Sequence, residues 1–130
     1  MNLLLDTHVF IWWMEDHSRL NRHVRDVMTS PRNHVLVSAV TVWEISIKIA
    51  LGKLSIPEPM LPAMTREGFA FLPVGYPEAD MVSKLPMVHK DPFDRLLVAQ
   101  TIVHDCVLLT SDRQILGYEI PVMDCGGGNR

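Results

Sequence analysis

"HKDPFDRLLVAQTIVHDCVLLTSD", residues 89–112, reads as a helix that delivers the chain directly into a strand. Pro92 suits a first helical position, where its missing N–H has no intrahelical partner to lose. Asp91 before it fits an N-cap, and Asp94 fits the third position, where an acid answers free amides and the helix dipole. The run that follows is largely apolar, and "VLLT" (107–110) has the pattern of a buried strand, with Asp112 just beyond its end. Helix into apolar strand is half of a βαβ unit, so the fold depends on whether the rest of the chain repeats it.

The repeat is there. "NLLL" (2–5) is a short buried strand followed by a helix through "THVFIWWM" (7–14). "SRLNRHVRDVM" (18–28) spaces Leu20, Val24, Val27 and Met28 on one helical face, with Arg19, Arg22 and Arg25 elsewhere. "HVLVS" (34–38) leads into a long helix, "AVTVWEISIKIAL" (39–51), closed by Gly52. "EPMLPAMTREG" (58–68) predicts a short helical arm interrupted by Pro62, and "FAFLPV" (69–74) a third strand. "PEADMVSKL" (77–85) predicts a helix opened by Pro77, and "IPVM" (120–123) a last edge strand. Strands alternating with helices predict right-handed βαβ units and a parallel sheet with helices on both faces.

Composition agrees with one ordinary globular domain. The chain has 130 residues, 48% hydrophobic and 21% charged, enough to bury a core. No apolar run reaches the roughly 18 residues of a membrane span. "MNLLLDTHVF" carries an acid where a signal peptide would carry basic residues, so a cytoplasmic protein with no membrane association is expected. Cys106 and Cys125 have no metal-ligand spacing and read as reduced packing residues. A net charge of −3 with scattered basic residues argues against charge-driven duplex binding, though not against an enzyme that grips a few phosphates. "GGGN" (126–129) reads as a loose tail, leaving residues 1–125 as a single domain and 126–130 as a flexible tail.

Topology gathers the acids. In a parallel sheet all strand C-termini share one edge, and the helix after each strand starts at that edge. Asp6 ends the first strand, Asp112 follows "VLLT", Glu44 lies about one turn into the helix after "HVLVS", and Asp91 and Asp94 open the helix that runs back to a strand. Capping accounts for any one of these aspartates taken singly: Asp6 before "THVF", Asp91 before Pro92, Asp112 before "RQIL". Glu44 differs. Its helix is apolar around nearly the whole circumference, and only a narrow sector with Thr41, Glu44 and Lys48 is polar. An i,i+4 pair with Lys48 contributes only a few tenths of a kcal/mol, little reason to keep a carboxylate on a mostly buried helix.

Carboxylates about 4 Å apart repel by roughly 4 kcal/mol at an effective dielectric near 20. Several on one rim need a cation, or some must hold protons at raised pKa. Oxygen donors with no cysteine nearby and dispersed histidines (His8, His34, His89, His104) suit Mg²⁺, with Mn²⁺ as a possible substitute, and point to metal-assisted phosphodiester chemistry.

"LLLDTHVFIWW", "VSAVTVWEISIKIALGKL", "LPMVHKDPFDRLLVAQ" and "LLTSD" together resemble the PIN-domain ribonucleases, in particular the VapC-type toxins of bacterial toxin–antitoxin pairs. The resemblance runs from Asn2 to about Pro121 and is most specific in "HKDPFDRLLVAQ" and "WEISIKIALGKL". It implies an α/β, PIN-like three-layer fold with a central, mostly parallel sheet of four to five strands flanked by helices. It places the family's acidic quartet on Asp6, Glu44, Asp94 and Asp112, with Asp6, Asp94 and Asp112 as metal ligands and Glu44 orienting or deprotonating the attacking water. Asp91 then falls to a cap or supporting acid, and Thr7 matches a hydroxyl position beside the site. The implied activity is endonucleolytic RNA cleavage leaving a 5′-phosphate. The implied partners are a small antitoxin that blocks the site and a second copy in a homodimer. Arg95 and Lys90 lie where they could steady flanking phosphates, against a plain reading as solvated surface charges. Trp12 and Trp13 could stack bases, but on a helix beside the first strand they read as core and interface.

Two rivals have discriminating features. A phosphotransfer domain shares a strand-end aspartate followed by Thr, but the haloacid-dehalogenase-like phosphatases need an aspartate where His8 stands, and response-regulator receivers need an acidic pair that "NLLLD" lacks. A binding module that keeps the fold and holds a partner's arginine in its acidic pocket is separated from an enzyme by metal-dependent cleavage.

Overall fold

Leu3, Leu4 and Leu5 are wholly buried because β1 (Asn2–Leu5) is the central strand of the molecule. The computed structural model describes residues 1–126, so all but the first residue of the expected 126–130 tail lies outside the described residues. Five strands form one sheet in the order β3-β2-β1-β4-β5, with β2 at His34–Ser38, β3 at Ala70–Leu72, β4 at Val107–Thr110 and β5 at Val122–Asp124. Every pairing is parallel, with Leu3 opposite both Val35 and Val107.

The period-2 alternation of a strand sends Leu3 and Leu5 to one face and Leu4 to the other. The first face is covered by α1 (Thr7–Glu15), α2 (Arg22–Thr29) and α4 (Met60–Glu67), whose Val9, Phe10, Val24, Met28 and Met64 are buried against it. The second is covered by α6 (Pro92–Val103), through Leu97 and Val98, with Ile115 and Tyr118 beside them. α3 (Ala39–Ala50) contributes Val40 to the second core and Ile45 to the first, and α5 (Tyr76–Met81) packs on α6. The result is the three-layer α/β arrangement expected from the alternation. Gly52, at φ +70°, closes α3, and the Lys53 N–H reaches back to the Lys48 carbonyl at 2.9 Å. Among the described residues no helix is long and apolar enough to cross a membrane.

Five elements differ from the sequence reading. α2 starts at Arg22, not at Ser18, because the Asn21 side chain accepts from the Val24 N–H at 2.8 Å and caps the helix there; Leu20 is buried from the turn before it. Pro62 does not interrupt α4, since it lies in the first turn where no N–H is needed. The helix opened by Pro77 ends at Met81 and tightens into a 3₁₀ turn over Val82–Lys84. β3 keeps only three of its six expected residues, and β5 starts two residues later than expected and ends one later. Both are edge strands, where pairing on one side alone sets the limits.

The order of strands positions the site. From β1 the chain moves to β2 on one side and returns through α6 to β4 on the other. The crevice above the C-terminal ends of β1 and β4 is therefore a topological switch point, where open α/β sheets bind ligands.

Candidate active site

Asp6 leaves β1 at this crevice. It is the N-cap of α1: Oδ1 accepts from the Val9 N–H at 2.8 Å, while Oδ2 accepts from the Thr110 hydroxyl at the end of β4. The residue is 2% exposed. Burial raises its pKa, the Thr110 and Val9 bonds and His8 oppose that rise, and Asp112 adds to it. The Thr110 oxygen also accepts from the Asp112 N–H at 3.0 Å, so one hydroxyl ties the acids after β1 and β4 together.

Asp94 sits in the first turn of α6, and Asp91 is the cap: its Oδ1 accepts from the Phe93 N–H at 2.8 Å and the Asp94 N–H at 3.1 Å. The cap holds the turn and leaves the Asp94 carboxylate free to face the crevice. Burial, followed by repulsion from Asp91, Asp6 and Asp112 against the pull of His89, pushes Asp94 up to about 7. Asp112 is partly exposed, with Oδ1 accepting from the Gln114 N–H at 2.8 Å, the turn-capping bond its position before "RQIL" predicted.

Glu44 is buried on α3, and the i,i+4 pair expected for it is formed. Oε2 pairs with Lys48 at 2.8 Å, and Oε1 accepts from the Thr7 hydroxyl at 2.6 Å. Thr7, the first residue of α1, thus couples Glu44 to the helix that Asp6 caps.

The sequence reading set one residue of this crevice, His89, aside among the dispersed histidines and did not single out another, Thr110. His89 Nε2 lies 2.9 Å from Asp94 Oδ2 and 3.3 Å from Asp112 Oδ2, and donor atoms of these three side chains lie within 4.8 Å of one another. The set of three does not include Asp6. Dispersion along the sequence hid His89, yet its place two residues before the α6 cap puts it on the same rim. Thr110 carried a fainter signal, a hydroxyl closing an apolar strand two residues before an acid.

Arg95 is neither a phosphate clamp nor a solvated surface charge. It is 7% exposed, and its guanidinium donates to the carbonyls of Val82, Pro86 and His89 at 2.7, 3.0 and 3.2 Å and to the Tyr118 hydroxyl at 3.1 Å. The segment between α5 and α6 has no regular pairing of its own, and Arg95 gathers its carbonyls instead. Lys90 is exposed. Trp12 and Trp13 are half-buried against the first core, and Trp43 is the exposed tryptophan, edge-on to Phe93 at 5.3 Å between centroids. Cys106 and Cys125 are free and buried.

The donor chemistry fits a hard divalent cation. Asp94 and Asp112 converge, Asp6 is close enough to raise Asp94, and a cation would relieve both causes of that rise, the burial of the carboxylate and the repulsion from its neighbours.

A family model described as PIN domain matches residues 3–119. Ribonuclease VapC22 of Mycobacterium tuberculosis is 24% identical over 122 residues, covering 92% of this chain and 93% of that protein. Among solved structures, VapBC2 from Rickettsia felis, bound to a DNA fragment from its promoter, superposes with a TM-score of 0.69 at 9% identity, covering 95% and 98% of the two chains. A toxin–antitoxin complex from Klebsiella pneumoniae gives a TM-score of 0.63 at 17% identity, covering 93% and 95%. The structural likenesses speak for the fold and the family model for descent: the chain belongs to the PIN domain family.

Proposed function

We propose that this protein is a metal-dependent endoribonuclease, the toxin of a toxin–antitoxin pair, which hydrolyses RNA phosphodiester bonds with an activated water. The observation that carries the reading is the convergence of Asp94 and Asp112 beside Asp6 at the switch point, with Asp94 raised to about 7 by burial and by its acidic neighbours. Its relationship to a ribonuclease and its fold likeness to a toxin–antitoxin complex support the substrate class and the partner.

Asp6, Asp94 and Asp112 would hold Mg²⁺, or Mn²⁺ in its place. When bound there, the ion supplies a lowered pKa for a coordinated water and neutralises charge on the phosphate. The protein's own groups do the rest. Thr110 and the Val9 N–H fix the Asp6 carboxylate, and the Asp91 cap fixes the turn that carries Asp94. Glu44, with Thr7 and Lys48 on its oxygens, orients the attacking water or takes its proton. Attack at phosphorus expels the 3′-oxygen and leaves a 5′-phosphate. A small antitoxin covers the acidic crevice, and the chain works as a homodimer in the cytoplasm.

The test is cleavage of total cellular RNA by the purified, partner-free chain with Mg²⁺, Mn²⁺ or EDTA, beside Asp94→Ala. Discrete fragments that need the metal and disappear in the variant are expected. A folded, metal-binding wild-type protein that cuts nothing would replace this reading with the arginine-holding binding module.

A further inference from the structure

We propose that His89 is a substrate-contacting residue of this site, whose Nε2–H donates to a non-bridging oxygen of the phosphodiester. This inference rests on the nuclease reading above and assigns a residue that reading does not use.

The first argument is which ring nitrogen carries the proton. His89 Nδ1 receives the Asp91 N–H at 3.4 Å, so in the neutral ring the proton sits on Nε2, the nitrogen facing Asp94 and Asp112. A metal at Nε2 would need that lone pair and would leave Nδ1–H pointing at the Asp91 N–H, two donors face to face. His89 is therefore a donor beside the ligands rather than a ligand, and it donates whether the ring is neutral or charged.

The second argument is how firmly the residue is held. The His89 N–H donates to the Tyr118 hydroxyl at 3.0 Å, and the His89 carbonyl accepts from Arg95 at 3.2 Å. Arg95 also donates to Tyr118 and to the Val82 and Pro86 carbonyls, and among the described residues no carboxylate pairs with it. A buried guanidinium directed at one short segment is a costly way to order a loop unless the loop's position matters. What that segment delivers to the crevice is the His89 imidazole, its side chain 12% exposed. Arg95 and Tyr118 are thus positioning residues for His89.

Asp94 Oδ2 and Asp112 Oδ2 are the oxygens that Nε2 faces, so a cation held by them would set Nε2–H beside the oxygens of any phosphate bound to it. A preorganised donor at such a place strengthens as charge develops on the phosphoryl oxygens.

The experiment uses the full chain with Mn²⁺ and compares wild type, His89→Ala, His89→Gln and Tyr118→Phe in kcat, KM and the affinity for Mn²⁺ alone. His89→Ala lowers kcat by on the order of 100-fold, with KM and Mn²⁺ affinity little changed. His89→Gln, which can place an amide N–H near the Nε2 position, restores much of the rate, and Tyr118→Phe lowers kcat without weakening Mn²⁺. A His89→Ala rate within about two-fold of wild type would show a mere counter-charge for the acids. Mn²⁺ affinity weakened by roughly 10-fold or more in His89→Ala would show a metal ligand. Either overturns the proposal while a cleaving wild type preserves the nuclease reading. A wild-type chain inert with every metal removes both.

Discussion

Replacing Asp94 by Asn is expected to destroy cleavage and to make the metal-free protein more stable at alkaline pH. A carboxyl moved from 3.8 in the unfolded chain to about 7 in the fold costs at most about 4 kcal/mol once pH is well above 7. The side chain is 17% exposed, so solvent screens part of this. Its place in the first turn of α6 returns about 0.3–1 kcal/mol through the helix dipole. A net gain of about 2 kcal/mol for Asp94→Asn at pH 8 remains. The sign follows from linkage. Between 3.8 and 7 the folded state binds the proton that the unfolded state has released, so stability falls as pH rises through this window. Below it both states are protonated and the advantage of Asn vanishes. Urea denaturation in EDTA at pH 4 and pH 8 measures both ends. Equal or lower stability of Asp94→Asn at pH 8 would refute the cost of ionising Asp94, by burial and by its acidic neighbours, on which the cation argument depends.

Three further outcomes follow from the same geometry. Thr110→Val removes a bond that lowers the Asp6 pKa, so the acid limb of the cleavage pH profile moves to higher pH and stability falls by about 1–2 kcal/mol, read by denaturant titration. Glu78 is 2% exposed; burial opposes its ionisation, but His104 at 2.6 Å and the N–H groups of Glu78 and Gly75 outweigh burial and hold it below 4.5. Glu78→Gln therefore costs about 1.5–3 kcal/mol near neutrality, a difference present above pH 4.5 and lost as pH falls through the lowered value. Burial, with Asp6 and Asp124 nearby, pushes the Cys125 thiol up to about 12, so a thiol reagent at pH 8 labels it only after unfolding, as mass spectrometry of native and denatured protein would show.

The regular elements were legible because their information is local. "NLLL" and "VLLT" are apolar runs of strand length, and Asp91–Pro92 announces the start of α6 without reference to the rest of the chain. The shared rim followed from parallel topology alone, which is why Asp6, Asp94 and Asp112 could be assembled before any distance was known. His89 and Arg95 were not legible in this way. Both depend on the segment between α5 and α6, which has no hydrophobic period, and on Tyr118, 23 positions beyond Arg95. A charged side chain satisfied by carbonyls leaves no partner of opposite charge to find in a sequence, so Arg95 looked like surface. Thr7 and Glu44, 37 positions apart, show the same limit: each was singled out, but not their bond.

Asp6 and Thr110 are 104 positions apart, and their contact closes the crevice. A growing chain meets the consequence directly. β1 precedes by a long stretch of chain the strand that flanks it on one side, β4, which carries Thr110 and leads to Asp112. Until then Asp6 has no Thr110 hydroxyl, Asp94 lacks Asp112 as a neighbour, and the apolar edge of β1 must wait for β4. The crevice is therefore assembled only after β4 has been made, since it needs β1 and β4 side by side. The arrangement leaves the central strand open to aggregation along one edge for as long as β4 is missing.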